Sequence, residues 1–116
     1  MLDNDFDADT LHLLRAQVTA CAVAAGMPRD LASDVTLAVS ELAANTIRHG
    51  PGRGRLRMRA AGGVLRCLVS DAGPGKGNWP VRQGHGLWIV QAVADQVTIS
   101  ADLRGSLVTA VFVIPQ

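Results

Sequence analysis

Tyrosine is absent from this sequence, and its aromatic residues are two Phe and two Trp. So few flat rings argue against a surface that stacks single-stranded nucleic acid. A charge excess is missing as well: 11 Lys and Arg stand against 10 Asp and Glu, a net of +1. Neither a nucleic-acid backbone nor an anionic membrane is the default partner of such a chain. No apolar run reaches the roughly 18 residues that a membrane-spanning helix needs. Cysteine is scarce: Cys21 and Cys67 each sit inside an apolar run, and no CxxC occurs. Inert thiols in a reduced cytoplasm are expected, rather than a metal or redox centre. The start, Met1-Leu2-Asp3-Asn4-Asp5-Phe6-Asp7, is acidic, the wrong sign for a signal peptide.

What is there is one domain's worth of chain, 116 residues with 48% hydrophobic side chains, enough to bury a core without staples. Glycine is plentiful, and 10 of the 12 fall between Gly50 and Gly86. Such clustering means either turn punctuation or backbone that lies against a ligand.

The first half reads as helix. Asp9 or Thr10 can N-cap a run from Leu11 to about Ala25, with Leu11, Leu14, Val18 and Ala22 near one face and Gly26 as the stop. Pro28 opens a second helix from about Arg29 to His49, with an apolar stripe of Leu31, Val35, Ala38 and Leu42. The period then changes. Arg55 to Ala60 alternates as a half-buried strand, Gly62-Gly63 signals a hairpin, and Val64 to Ser70 is a more central strand. Residues 72–85 are rich in Gly and Pro and lack periodicity, the mark of a long functional loop. A short helix from Leu87 to Ala94 comes next, with Trp88 expected in the core. Strands at Val97–Ala101 and Leu107–Ile114 flank a turn at Arg104-Gly105-Ser106. The order α-α-β-β-α-β-β implies an α+β two-layer sandwich, a mixed and mostly antiparallel sheet with helices on one face.

Some residues break their local pattern. At 100° per residue, Glu41 and Asn45 lie along one edge of the second helix's stripe, with His49 nearly in line. A carboxylate, an amide and an imidazole at the border of a buried face are costly unless paired. They are either a polar helix end with His49 serving the C-terminus, or a set facing a cleft. In a cleft, Asn45 can hold Mg²⁺ and Glu41 can accept a proton. Asp71 ends the central strand before Ala72-Gly73-Pro74-Gly75, as a turn aspartate or as an acceptor for an exocyclic amine. Gly84-His85-Gly86 precedes the third helix, where backbone N–H groups can hold phosphate. Lys76 belongs to no P-loop, since the spacing is wrong. Arg55, Arg57 and Arg59 share one strand face, read as solvated. Trp79 lies in the loop as a lid or contact residue, and His12 is given no role.

In this order and on these elements, the signals resemble the Bergerat-fold ATPases, the superfamily of gyrase and histidine-kinase catalytic domains. They are similar in particular to small stand-alone anti-sigma-factor serine kinases, over about Phe6 to Pro115. The N-box looks like Ser40-Glu41-Leu42-Ala43-Ala44-Asn45-Thr46-Ile47-Arg48-His49-Gly50. The resemblance implies Asn45 as the Mg²⁺ ligand and Glu41 as the residue that activates the attacking group. The first glycine box, Asp71-Ala72-Gly73-Pro74-Gly75, implies that Asp71 contacts adenine N6. The second, Gly84-His85-Gly86-Leu87-Trp88-Ile89-Val90, implies a phosphate cradle that includes His85 and Leu87. A Gly-Thr pair of the family reads Gly105-Ser106 here, and Thr109 is a second hydroxyl held in reserve.

The resemblance further implies ATP and Mg²⁺ as cofactors and a cytoplasmic serine kinase acting on a small anti-sigma antagonist. A sigma factor is a further expected partner. The alternatives are a nucleotide-gated module that sequesters its partner without phosphotransfer, and the catalytic domain of a larger sensor kinase. The start at Met1 and the finished last strand favour a stand-alone protein over the latter. Two departures shape the expectations. The segment from Asp71 to Gly84 is short for a lid. The strand that often precedes the first helix is reduced to a few residues, so the sheet loses an edge or completes it in a homodimer.

Overall fold

A computed structural model describes residues 1–72, 87–102 and 104–116. The chain runs β1 (Leu2–Asp7), α1 (Leu11–Ala24), α2 (Arg29–His49), β2 (Arg53–Ala61), β3 (Val64–Ala72), α3 (Leu87–Val93), β4 (Gln96–Asp102) and β5 (Gly105–Val113). The strands form one five-stranded sheet in the order β1-β2-β3-β5-β4. All of its pairings are antiparallel. The α+β sandwich expected from the sequence is therefore present, with every described strand pair of one sense.

The strand before the first helix is a correction. It is a full six-residue strand rather than a remnant, paired with β2 from Leu2↔Met58 to Asp7↔Arg53. Its alternation is a period-2 pattern, with Leu2, Asn4 and Phe6 turned to the helices and Asp3, Asp5 and Asp7 turned away. The arginines of β2 make the acidic row tolerable. Arg55 donates to both Asp3 carboxylate oxygens, at 2.7 and 2.6 Å. That bond holds Asp3 below the usual carboxylate range and raises Arg55. One exposed ion pair thus ties the basic face read as solvated to β1.

Neither Asp9 nor Thr10 caps α1 through its side chain. Asp7 collects the free donors instead: its Oδ1 accepts from the backbone N–H of Asp9 and Thr10 at 2.9 and 3.1 Å. The Thr10 hydroxyl accepts from the Asp7 N–H at 3.0 Å. The carboxylate thus ties the strand end to the helix start.

The core lies between the helices and one sheet face. Leu14, Val18 and Ala22 of α1 and Val35, Ala38, Val39 and Leu42 of α2 meet Leu56 and Met58 of β2. Leu65, Cys67 and Val69 of β3 and Val108, Ala110 and Phe112 of β5 complete it. The α2 stripe is buried as its spacing predicts, apart from a half-buried Leu31. Trp88 is the second correction: it is 66% exposed. The buried face of α3 is made by Leu87 and Val90, three residues apart, and Trp88 lies about 100° around the helix from Leu87. Gly54 stands inside β2 rather than in a turn. A Cβ there would come within 2.7 Å of the Phe6 ring and 2.8 Å of the Ser70 carbonyl oxygen. Among the described residues no helix is long and apolar enough to cross a membrane.

Candidate nucleotide site at one end of the sheet

Topology gathers the candidate residues at one end. Helix α2 stops at His49, and Gly50 donates back to the Asn45 and Thr46 carbonyls at 3.3 and 3.1 Å. The chain re-enters the sheet at Arg53. Arg55 pairs with Ser70, so the C-terminal end of α2, the start of β2 and the end of β3 share that end. The start of β5 joins them through Asp71↔Ser106 and Ala72↔Gly105.

On α2, Glu41 is half-buried and Asn45 is 2% exposed. Among the described residues the Asn45 amide nitrogen has no hydrogen-bond partner, and neither does the Thr46 hydroxyl, itself 1% exposed. Buried polar groups of this kind are nearly always paired in folded proteins, and an orphan costs about 1–3 kcal/mol. Ser40, next to Glu41, accepts a hydrogen bond from Arg15 Nε of α1. Thr19 and Thr36 bridge the same two helices at 2.8 Å, so this part of α2 is pinned from its far side. His49 closes the helix, half-buried, and with Arg48 puts basic character in the last turn, as the helix dipole favours.

At the sheet, Asp71 Oδ2 accepts from the Ser106 hydroxyl at 2.6 Å. The two residues are register partners and share the side of buried Val69 and Val108, the side that faces the helices. Thr109 has the opposite parity and points away from them, so the reserve hydroxyl is not part of this site. Gly105 is required by a close approach. Its φ is +158°, and a Cβ there would lie 2.2 Å from the Asp71 carbonyl oxygen. Asp102 sets the approach, its Oδ1 accepting from the N–H groups of Arg104 and Gly105 at 2.7 and 3.2 Å. Sequence reasoning missed Asp102. The signal was there, an Asp three residues before a turn glycine.

Leu87 opens α3, is 7% exposed and belongs to the core cluster. Gly73, Gly75, Gly84, His85 and Gly86 lie outside the described residues, as do Gly77 and Trp79. A cavity of 660 Å³ opens on the β1 side of Asp71, with Phe6, Asp7, Thr10, Arg53 and Ser70 among its walls. Glu41, Asn45 and Ser106 do not line it. Among the described residues, no cluster of three or more His, Cys, Asp or Glu forms a metal site. An ion here would draw its other ligands from phosphate and water, as Mg²⁺ commonly does.

One end of the sheet thus gathers a helix edge that carries a carboxylate and an amide unpaired among the described residues, and an acidic acceptor that ends a central strand. Residues 5–112 match the family described as histidine kinase-like ATPase domain. The chain belongs to that family. Membership implies ATP as its ligand. The fold is also that of the crystal structure of the RsbU and RsbW domains of Rv1364c from Mycobacterium tuberculosis, with a TM-score of 0.77 at 20% identity. That likeness covers 98% of this chain and 32% of the other. No curated protein matches the sequence.

Proposed function

We propose that this ATPase domain is a regulatory protein kinase of the anti-sigma-factor type. It binds ATP with Mg²⁺ and passes the γ-phosphoryl group to a serine of a small antagonist protein. The observation that carries the reading is Asn45, a buried amide whose nitrogen lacks a partner among the described residues, one helical turn after half-buried Glu41. The orphaned amide suits a Mg²⁺–phosphate group, with the side-chain oxygen as the metal ligand. Bound Mg²⁺ neutralises charge on the phosphates.

The remaining chemistry belongs to the chain. Asp71, purely an acceptor when ionised, reads the exocyclic amine of adenine, and Ser106 holds it in position. Gly73, Gly75, Gly84, His85, Gly86 and Leu87 form the phosphate cradle, through backbone N–H groups. Glu41 orients the serine hydroxyl of the partner and takes its proton. The serine oxygen bonds to the γ-phosphorus as the bond to the bridging oxygen breaks, and ADP leaves.

The test has two parts. A thermal shift with millimolar MgATP reads binding. A ligand at 100 times its Kd adds about 2.7 kcal/mol, and no shift overturns the nucleotide reading. Radiolabelled ATP with candidate antagonist proteins then reads transfer. Binding without a phosphoserine product identifies a nucleotide-gated binding module instead.

A further inference from the structure

Adenine presents two neighbouring groups along one edge: the exocyclic amine, which donates, and the ring nitrogen N1, which accepts. Asp71, an acceptor when ionised, suits the amine alone. The edge is read in full only if a donor stands beside it. Ser106 does not supply that donor, because its one hydroxyl proton goes to Asp71 Oδ2 at 2.6 Å. Among the described residues, three other buried side-chain donors lack a hydrogen-bond partner: Asn45 Nδ2, the Thr46 hydroxyl and Arg57 Nε. Arg57 pairs with Leu68 and alternates with buried Leu56 and Met58, so it lies on the sheet face away from the helices. Asn45 is the residue that the proposed function sets against Mg²⁺ and phosphate. That leaves Thr46.

Thr46 stands where a base can reach it. It ends the line Val35, Val39, Leu42 and Thr46, at steps of four, three and four along α2, and each of these is at most 1% exposed. The side chain therefore lies in the layer between α2 and the sheet. Gly50 and Gly52 both donate to the Thr46 carbonyl at 3.1 Å, so the residue sits at the turn into β2. Two residues later, Gly54 lies close against the Ser70 carbonyl, next to Asp71. Asp71 turns into the same layer, on the side of buried Val69 and Val108. An unpaired hydroxyl this deep costs stability, and it is found at the end of the sheet that holds the acceptor for the amine. We propose that Thr46 is a base-reading residue, its hydroxyl donating to adenine N1 directly or through one water. The inference rests on the ATP reading and adds to it the second hydrogen bond of the base edge.

Titration calorimetry on the full chain tests it with two nucleotides, MgATP and the Mg²⁺ complex of 1-deaza-ATP, in which a C–H replaces N1. The unaltered protein is expected to bind the analogue about tenfold more weakly than ATP. Thr46→Val keeps the shape of the side chain and removes the hydroxyl. It is expected to bind ATP about tenfold more weakly and to bind the analogue as it binds ATP. Its ligand-free melting temperature is expected to be unchanged or raised, since no bond within the protein is lost. Thr46→Ser is expected to restore the preference for ATP. Equal affinity of the unaltered protein for the two nucleotides overturns the proposal, whether or not Thr46→Val folds. So does a Thr46→Val protein that still prefers ATP, because another group then reads N1. A chain that binds neither nucleotide overturns the ATP reading itself, and this inference with it.

Discussion

The hydroxyl of Ser106 donates to Asp71 Oδ2 at 2.6 Å across the β3–β5 pairing, joining residues 35 apart in sequence. Serine keeps the hydroxyl of the threonine in the family's Gly-Thr pair. We expect Ser106→Ala to weaken MgATP binding by about tenfold, near 1.4 kcal/mol, and Ser106→Thr to restore it. Asp71→Asn should cost more, since it presents a donor where the base needs an acceptor. Titration calorimetry distinguishes the series, and equal affinity for Ser106→Ala would remove that residue from the site.

Gly105 controls how closely β5 approaches that pair. With a Cβ placed 2.2 Å from the Asp71 carbonyl oxygen, Gly105→Ala must push the strands apart where Asp71 sits. The expected loss is roughly 2 kcal/mol or more of stability, read from urea denaturation. Binding should weaken as well, because the Ser106–Asp71 bond spans the displaced strands.

Asn45 and Glu41 separate binding from turnover. Asn45→Ala removes an orphaned amide, so relief of its desolvation cost offsets the lost packing. The ligand-free protein should keep its stability within about 1 kcal/mol while the MgATP thermal shift disappears. Glu41→Ala should keep the shift and lose phosphotransfer by roughly 100-fold or more. Full-strength MgATP binding by Asn45→Ala would sink the assignment.

Burial pushes the Cys67 thiol up to about 12, with Cys21 adding to the rise. Above roughly pH 8.5 the unfolded chain gives up this proton while the folded chain keeps it. The contribution is therefore full below that pH and is lost as pH rises toward 12. Urea midpoints should fall over that window, and Cys67→Ala should flatten the decline. Alkylation of the folded protein should label half-buried Cys21 and spare Cys67 until the chain unfolds.

Trp88 offers a contrast. At 66% exposure it contributes little packing, so Trp88→Ala should change stability by no more than about 0.5 kcal/mol. A core tryptophan would cost about 3–5 kcal/mol, and calorimetric melting separates the two outcomes.

Much of this was legible locally. The apolar stripe from Val35 to Leu42, Pro28 ahead of it and Gly50 behind it define α2 from its start to His49, because period and caps are properties of neighbouring residues. The edge position of Glu41 and Asn45 comes from the same arithmetic. Other features were hidden for a physical reason. The β1 alternation is readable only once the arginines of β2 neutralise its acidic row, and Arg55 lies 52 residues from Asp3. Trp88 looked like core because its neighbours are apolar, yet helix direction rather than composition decides which side is covered.

Sequence alone determined the elements after β1, their order and the residue types along α2 and at the end of β3, since each depends on short-range spacing. Only the tertiary structure decided that Asp71 meets Ser106 and not Thr109, that Gly105 must lack a side chain, and that Asn45 is buried with no partner for its amide nitrogen among the described residues. Those facts depend on strand register and on which face each residue turns to the helices. A one-residue change in register reverses them, and no local pattern specifies it.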